Sequence, residues 1–380
     1  MKVRIGDICT SFSGFIPAAS ELFPSGKYPY FKVAEMNREA NQRVMTDTDA
    51  YVKESRKYFP KGSIVFPKNG AAIATNKKRI LGQDSIVDLN TGGVEPNNDL
   101  VRTDYLFYLF QHIDFAQYMR RGAVPTLDLK SVLAIEIELP SLSDQQYIVA
   151  ELDLLSGIIE KKNAQLRTLE RLAESLFIET FGNLIANDRN WRMGTLNEFI
   201  EDKKRILRAT KFYKPDEVVH YIDISSIDNK AHSMTSTTEF VFNEAPSRAQ
   251  QIVQNGDVLV SMVRPNLRNV AIVSSEDKNL VASSGFCVLR SLSSNGEFLK
   301  QLVLSDFFTD YLLTRVSGAN YPAVREEDIK ECKLGIPPAE LQLEFSNKIK
   351  ALETERLTID SSLKTTQDLL ASRMDKYFSA

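Results

Sequence analysis

Basic and amide side chains gather in two loops that each follow a short apolar strand, and such side chains can contact nucleic acid. The stretch "FPKNGAAIATNKKRILG" supplies Lys68, Asn69, Lys77, Lys78 and Arg79. The stretch "SMVRPNLRN" supplies Arg264, Asn266 and Arg268. Lys and Arg neutralise phosphates, whereas Arg and Asn also read base edges in the major groove. The sequence therefore predicts two DNA-contacting loops, although any single basic cluster is more often a solvated surface.

Two further basic clusters occur in loop-like stretches. "YMRRGAVP" contains Arg120 and Arg121, and "EDKKRILRATK" contains Lys203, Lys204, Arg205 and Arg208. We add these residues to the predicted DNA-contacting set.

Residues for catalysis are scarce. The chain has no Walker loop, dinucleotide-binding glycine motif, nucleophile elbow or Cys/His metal cluster. One loose nuclease-like pattern exists, with Asp216 followed by Asp228 and Lys230. Two carboxylates and a lysine could hold Mg²⁺ for phosphodiester hydrolysis. A self-contained nuclease or modification enzyme is therefore one alternative, but the sequence favours no catalytic residues, metal or cofactor.

Composition is that of an ordinary globular protein with room for two domains. The 380 residues are 43% hydrophobic and 26% charged, with a net charge of −3. Residues 1–140 carry 18 basic and 16 acidic residues, so their net charge is 18 − 16 = +2. No apolar run is long enough to cross a bilayer, which predicts no membrane association. Three scattered cysteines are typical of reduced thiols, and we expect a cytoplasmic protein.

An internal repeat organises the whole chain. "VRIGDI" resembles "WRMGTL", "YFKVAEMN" resembles "YIDISSID", and "KGSIVF" resembles "NGDVLV". "PTLDLKSVLAIEIELP" resembles "PAVREEDIKECKLGIP". The offsets are 194 − 6 = 188, 221 − 30 = 191, 256 − 62 = 194 and 337 − 140 = 197. Because the order is kept while the offset grows slowly, the pattern predicts two copies of one unit.

Each copy ends in a long helix with a heptad pattern. Ser143 and Gln146 form a predicted capping box just after Pro140. Apolar residues then recur in steps of four and three, which is typical of a coiled-coil seam. The first seam contains Ile148, Leu152, Leu155, Ile159, Leu166 and Leu169, and the second contains Phe345, Ile349, Leu352, Ile359, Leu363 and Leu370. Two separate core helices are the alternative to such a pair.

The predicted fold is mixed α/β (α+β), with two repeated domains joined by two long helices in an antiparallel coiled coil about a pseudo-twofold axis. The predicted boundaries are 1–140 for the first recognition domain, 141–182 for the central helix, 183–337 for the second recognition domain and 338–380 for the C-terminal helix.

This arrangement resembles the specificity (S) subunits of type I restriction-modification systems. The residues that carry the resemblance are Leu139, Pro140 and Gln145 in "LPSLSDQQYIVAELD", and Ile336-Pro337-Pro338 with Gln342 in "IPPAELQLEFSNKIKALE". Ser141 departs from the pattern because it stands in place of the second proline, and Leu341 stands where many relatives have an acidic residue.

The resemblance implies a function for each part. Each globule would be a target recognition domain that reads one half of a bipartite, asymmetric double-stranded DNA sequence. The helices would set the gap between half-sites and dock adenine-methyltransferase (M) subunits, two of them by expectation. Restriction (R) subunits would join them, and M and R would supply all catalysis. A duplicated scaffold without a DNA role is the remaining alternative.

Overall fold

Short strands joined by turns and 3-10 helices make up most of the chain outside two long helices. The structure is a computed structural model, and it describes residues 1–55, 57–201, 208–292, 295–318 and 322–379. The chain divides into unit 1, which comprises Met1–Lys162 with Ser362–Ala380, and unit 2, which comprises Asn163–Ser361. Each long helix therefore contributes one half to each unit.

Unit 1 contains a five-stranded sheet (order β2-β9-β6-β7-β4), a three-stranded sheet (β5-β3-β8) and two strand pairs (β1-β12 and β10-β11). Its strands are β1 (Lys2–Arg4), β2 (Cys9–Ser13), β3 (Tyr28–Phe31), β4 (Val44–Met45), β5 (Tyr51–Val52), β6 (Ile64–Pro67), β7 (Arg79–Leu81), β8 (Ile86–Val87), β9 (Thr91–Pro96), β10 (Met119–Arg120), β11 (Thr126–Leu127) and β12 (Glu136–Glu138). Its helices are α1 (Thr103–His112), α2 (Leu129–Leu133) and the first half of α3 (Leu142–Phe181).

Unit 2 contains a four-stranded sheet (β17-β14-β21-β18), a three-stranded sheet (β20-β19-β22) and two strand pairs (β13-β23 and β15-β16). Its strands are β13 (Arg192–Thr195), β14 (Val218–Ile222), β15 (Ile227–Asp228), β16 (Ser233–Met234), β17 (Thr238–Val241), β18 (Ala249–Ile252), β19 (Val258–Ser261), β20 (Val270–Ile272), β21 (Leu280–Ser283), β22 (Phe286–Leu289) and β23 (Lys333–Ile336). Its helices are α4 (Gly296–Leu304), α5 (Asp306–Leu313), α6 (Glu326–Lys330) and the first half of α7 (Ala339–Phe378).

The strand pairings confirm the predicted repeat. β3 lies between an antiparallel and a parallel neighbour, and β14 does the same at an offset of 221 − 30 = 191. β6 lies between two antiparallel neighbours, as does β19, at 258 − 64 = 194. The first and last strands of each unit also pair in the same way, since β1 pairs with β12 and β13 pairs with β23.

The first sequence match was wrong by three residues. Arg4 N–H donates to Asp7 in unit 1, and Thr195 N–H donates to Glu198 in unit 2. The next backbone N–H groups donate to equivalent carbonyl groups: Ile5 to Ile135 O, just before β12, and Leu196 to Cys332 O, just before β23. The structural equivalent of "VRIGDI" is therefore "GTLNEF", at an offset of 195 − 4 = 191. "WRMGTL" is more similar to "VRIGDI" in its letters, but that similarity is fortuitous.

Antiparallel packing of the long helices is present inside each unit. In unit 1, Glu151 forms an ion pair with Arg373 at 2.9 Å, and Lys162 Nζ donates to Ser362 Oγ at 2.7 Å. In unit 2, the ring centroids of Phe177 and Phe345 are 5.5 Å apart. Within each unit the residue numbers rise along one helix as they fall along its partner, which confirms the predicted pairing. Each helix has 40 residues and is about 60 Å long at 1.5 Å per residue.

The start of α3 differs from the predicted capping box. Ser141 Oγ accepts the N–H of Asp144 at 3.2 Å, and Ser141 O accepts the N–H of Gln145 at 2.8 Å. Ser141, two residues before Ser143, is therefore the N-cap. This explains its place in the motif, because a serine side chain satisfies a free N–H that a proline would leave to solvent.

Candidate nucleic-acid interface

The loop that follows β6 in unit 1 is tied to the β10–β11 hairpin. Gly70 N–H donates to Pro125 O at 2.8 Å, and Leu127 N–H donates to Lys68 O at 2.9 Å. Lys68 and Asn69 lie half-buried at this junction. The hairpin carries Arg120 and Arg121, both exposed, so the structure brings four predicted residues of unit 1 to neighbouring backbone segments.

Unit 2 repeats this junction with the same backbone hydrogen bonds. Arg264 N–H donates to Pro322 O at 2.8 Å, and Val324 N–H donates to Met262 O at 2.9 Å. The offsets are 264 − 70 = 194 and 322 − 125 = 197, which are those of the surrounding strands. Both loops therefore occupy equivalent positions in their own units.

Both loops also share an unusual backbone. A short 3-10 helix in each loop (Ala71–Thr75 and Pro265–Leu267) is flanked by residues with positive φ. In unit 1 these are Gly70 (φ 79°) and Asn76 (φ 52°), and in unit 2 they are Arg264 (φ 50°) and Arg268 (φ 49°). Glycine and asparagine adopt this conformation readily, but arginine rarely does. Strain of this kind, of order 1–3 kcal/mol per residue, tends to occur at functional sites.

Available charge differs among the loop arginines. Arg264 and Asn266 are exposed, and among the described residues no ion pair links Arg264 to a carboxylate. Arg268 is half-buried and forms an ion pair with Asp306. Arg120 forms an ion pair with Asp128 at 2.7 Å, and this contact lowers the pKa of Asp128. Arg264 and Arg121 therefore present the least compensated guanidinium groups of the two junctions.

Two predicted contacts, Lys78 and Arg79, lie inside unit 1. Lys78 is 0% exposed; its ammonium donates to Ile113 O at 2.8 Å and to Asn76 Oδ1, and lies 4.1 Å from the Phe115 ring centroid. Burial lowers the pKa of Lys78 to about 7. Arg79 is 6% exposed and donates to Lys78 O and Met36 O. In this structure neither cation reaches the surface, because Lys78, just before β7, and Arg79, the first residue of β7, are both buried against backbone carbonyl groups, and we remove them from the candidate interface.

The remaining predicted basic residues either make other contacts or lie outside the described residues. Lys77 is half-buried and donates to Asn37. Arg208 is exposed and forms an isolated β-bridge with Gln251 of β18. Lys203, Lys204 and Arg205 lie outside the described residues.

The residues of the predicted helix seams lie on packed faces of α3 and α7, and those near the start of each helix belong to the core of a globule. Their residues are buried or half-buried throughout, namely Ile148, Leu152, Leu155, Ile159, Leu166 and Leu169 of α3 and Phe345, Ile349, Leu352, Ile359, Leu363 and Leu370 of α7. Exposed apolar residues such as Tyr147, Leu154 and Leu172 lie elsewhere on α3. Any further partner of the helices would meet these outward faces and not the seams.

Asp228 of the nuclease-like pattern is hydrogen-bonded within its own loop. Asp228 Oδ1 accepts the N–H groups of Lys230 (2.8 Å) and Ala231 (3.1 Å), so it closes its own turn, and these bonds lower its pKa. Across the described ranges no group of three or more His, Cys, Asp or Glu side chains could hold a metal ion. In the same part of the chain, no helix is long and apolar enough to cross a membrane.

All three cysteines are buried thiols outside any disulfide, and burial raises the pKa of Cys9 to about 12. A thiol with so high a pKa is a poor nucleophile at neutral pH.

One basic surface was not predicted from the sequence. Lys27, Lys53 and Lys57 surround the β5-β3-β8 sheet of unit 1, and each ammonium lies over an aromatic ring. The lysines are dispersed in the sequence, so no cluster signal marks them. The alternation of lysine and aromatic residues in "GKYPYFK" is a signal that could have found Lys27, but it does not extend to Lys53 or Lys57.

Comparison with known proteins gives a consistent family. The family model described as type I restriction modification DNA specificity domain matches residues 1–171 and again residues 188–366. The MjaVIII specificity subunit of Methanocaldococcus jannaschii, a type I restriction enzyme subunit, is 22% identical over 398 residues, covering 97% of this chain and 91% of the relative. The EcoDI specificity subunit of Escherichia coli is 21% identical, covering 99% and 87%.

Solved structures agree at the level of the fold. The S subunit of a type I restriction-modification system from M. genitalium has a TM-score of 0.57 at 12% identity, covering 100% of this chain and 96% of that one. A chain from a structure of type I R-M complex assembly has a TM-score of 0.52 at 18% identity, covering 100% and 97%. Because the family model matches most of the chain in two copies, this protein belongs to the family of type I restriction-modification DNA specificity subunits.

Proposed function

We propose that this chain is the DNA-reading subunit of a type I restriction-modification complex, with one half of a bipartite target read by each unit. The observation that carries the proposal is the matched pair of loop junctions, which present basic and amide side chains from loops with the same backbone hydrogen bonds in both units. Phosphate contacts would position the duplex, and Arg264, Asn266 and Asn69 have side chains suited to base edges.

The chain would act without catalysis of its own. Methylation would come from adenine-methyltransferase subunits, two by expectation, and cleavage from R subunits. The outward faces of α3 and α7 would dock the methyltransferase, and the length of the helix pair would set the gap between half-sites. Such a complex works in the cytoplasm, on chromosomal and invading DNA.

A methylome tests the proposal directly. The chain is co-expressed with its cognate adenine methyltransferase, and N6-methyladenine is mapped by long-read sequencing, with a strain that lacks the chain as control. We expect a split motif that disappears in the control. Methylation that is unchanged without the chain would contradict the proposed function.

A further inference from the structure

Three lysines of unit 1 are held over aromatic rings around one small sheet. The Lys53 ammonium lies 4.1 Å from the Phe23 ring centroid, and the Lys27 ammonium lies 4.9 Å from that of Tyr28. The Lys57 ammonium lies 5.1 Å from the Phe15 ring centroid. Phe15 and Tyr28 belong to the same hydrophobic cluster. The rings restrict the positions of the ammonium groups without removing their charge.

Lys27 and Lys53 lie just outside the last residue pair of this small ladder. Tyr28 of β3 pairs with Val52 of β5; Lys27 directly precedes Tyr28, and Lys53 directly follows Val52. All three lysines are exposed, and within the described ranges no ion pair joins them to a carboxylate. Exposed ammonium groups without a carboxylate partner are available to an anion such as a phosphate.

Two carboxylates lie close to these lysines, one in the sequence and one in space. Glu54 follows Lys53 directly. Asp84 accepts the backbone N–H of Lys61 at 3.0 Å and contributes, after the hydrogen bond with Tyr28, to raising the pKa of Lys27. Lys27 therefore remains charged at neutral pH.

The fold itself does not require these lysines, because unit 2 builds the same ladder without them. There Val219 pairs with Phe240, and the next pair is Val218 with Val241. Both valines are exposed, at 42% and 37%. The lysine pair is thus a property of unit 1 alone.

We propose that Lys27, Lys53 and Lys57 form a phosphate-binding surface that grips the DNA backbone beside the half-site read by unit 1. The inference rests on the proposed function and adds an asymmetry to it: unit 1 contributes sequence-independent affinity at this sheet, whereas unit 2 has valines at the positions equivalent to Lys27 and Lys53. Ammonium groups without base-reading geometry contact phosphates at any sequence.

The test uses the complex of the full chain with its methyltransferase subunit. Its affinity is measured at several salt concentrations for a duplex that carries the methylated motif and for the same duplex with both half-sites scrambled. The variant Lys27→Val/Lys53→Val copies the pair present in unit 2, and Lys27→Gln/Lys53→Gln is a second variant that keeps polar side chains. Lys2→Val is the control, since it removes a lysine of unit 1 whose ammonium lies 2.9 Å from Glu136.

We expect both double variants to weaken binding by the same factor on the two duplexes. The slope of log affinity against log salt should fall by about 2, close to 0.9 for each lost phosphate contact. The control should leave the slope unchanged, and the methylated motif should be the same for all variants. An unaltered slope in folded double variants would overturn the phosphate surface. So would a loss of assembly with the methyltransferase, which would make the surface a protein contact.

The two proposals fail in different ways. A wild-type complex that binds both duplexes equally would contradict the proposed function. Normal discrimination by wild type with unaltered salt slopes in the variants would contradict only the phosphate surface.

Discussion

Arg264 occupies the left-handed region (φ 50°, ψ 64°), which glycine adopts without strain, and the equivalent residue of unit 1 is Gly70, also with a positive φ. We therefore expect Arg264→Gly to leave the free energy of unfolding unchanged or to raise it slightly, because strain of about 1 kcal/mol or more is relieved and about 0.5–1 kcal/mol of chain entropy is lost. DNA affinity should fall by about 1–3 kcal/mol if the guanidinium reads a base. Thermal unfolding and duplex titration measure the two effects.

The control for this prediction is Arg248→Gly, an exposed arginine outside the loop junction. Its DNA affinity should match that of wild type. A substitution at 264 that destabilises the protein and leaves DNA binding intact would assign Arg264 to folding.

His232 makes the stability of unit 2 dependent on pH. Burial, with help from nearby Lys300, lowers the pKa of His232 to about 4. In the unfolded chain the pKa of this histidine is about 6.5. Between pH 6.5 and pH 4 the side chain is therefore protonated in the unfolded state and neutral in the folded state. The free energy of unfolding should fall across this window by up to about 3 kcal/mol.

His232→Asn is the matched variant, because asparagine tolerates the positive φ of 47° at this position. Denaturant unfolding at pH 7 and pH 5 can be followed by the single tryptophan, Trp191, which lies in unit 2. Wild type should lose more stability than the variant on acidification. Equal losses would show that His232 is protonated in the folded protein.

Residue types predicted the loop junctions but not which cations reach the surface. Lys77, Lys78 and Arg79 are one basic run in the sequence, yet Lys78 and Arg79 are buried where β7 begins. Such burial depends on partners distant in the chain, here Ile113 O and Met36 O. Lys53 and Lys57 were missed for the same reason, since only the fold places them over the rings of Phe23 and Phe15.

At the scale of elements, a buried glutamine fixes the start of α3 on its globule. Gln145 is 0% exposed; its Nε2 donates to Leu100 O (3.0 Å) and Pro140 O (3.1 Å), and its Oε1 accepts the N–H of Arg102 (2.8 Å). Gln342 repeats the bond to the preceding proline, donating to Pro337 O at 2.8 Å. The shared motif therefore joins helix to globule.

Gln145→Met should destabilise unit 1 by at least about 2 kcal/mol, because it leaves three backbone groups without partners. The adjacent Gln146→Met is the control, since Gln146 is exposed. Chemical denaturation of both variants gives the comparison. Equal stabilities would show that Gln145 does not fix the start of α3 on its globule.

Heptad spacing predicted both long helices and their pairing, because a seam of apolar residues cannot remain in water along so many turns. The helix starts and the first repeat match were less certain, since each depends on single hydrogen bonds. Ser141 rather than Ser143 caps α3, and Thr195 rather than Arg192 is the equivalent of Arg4. Periodicity defines an element, but it does not define the residue at which the element begins.

At the scale of the whole molecule, α3 and α7 pass from one unit to the other at Lys162–Asn163 and Ser361–Ser362. Seven residues inserted at both points keep the heptad register and lengthen the pair by about 10 Å. We expect both half-site sequences to stay the same while the gap between them grows by about three base pairs, at 3.4 Å each. A methylome of the insertion variant measures this. An unchanged gap would mean that the helices do not set it.

The central claim is that each unit reads one half-site, and paired methylomes test it most directly. One strain carries Lys68→Ala/Asn69→Ala in unit 1, and the other carries Arg264→Gly/Asn266→Ala in unit 2. The account predicts that each variant alters or loses sequence preference in one half of the split motif and keeps the other half, with opposite halves affected in the two strains. Changes to both halves in either strain, or to the same half in both, would contradict it.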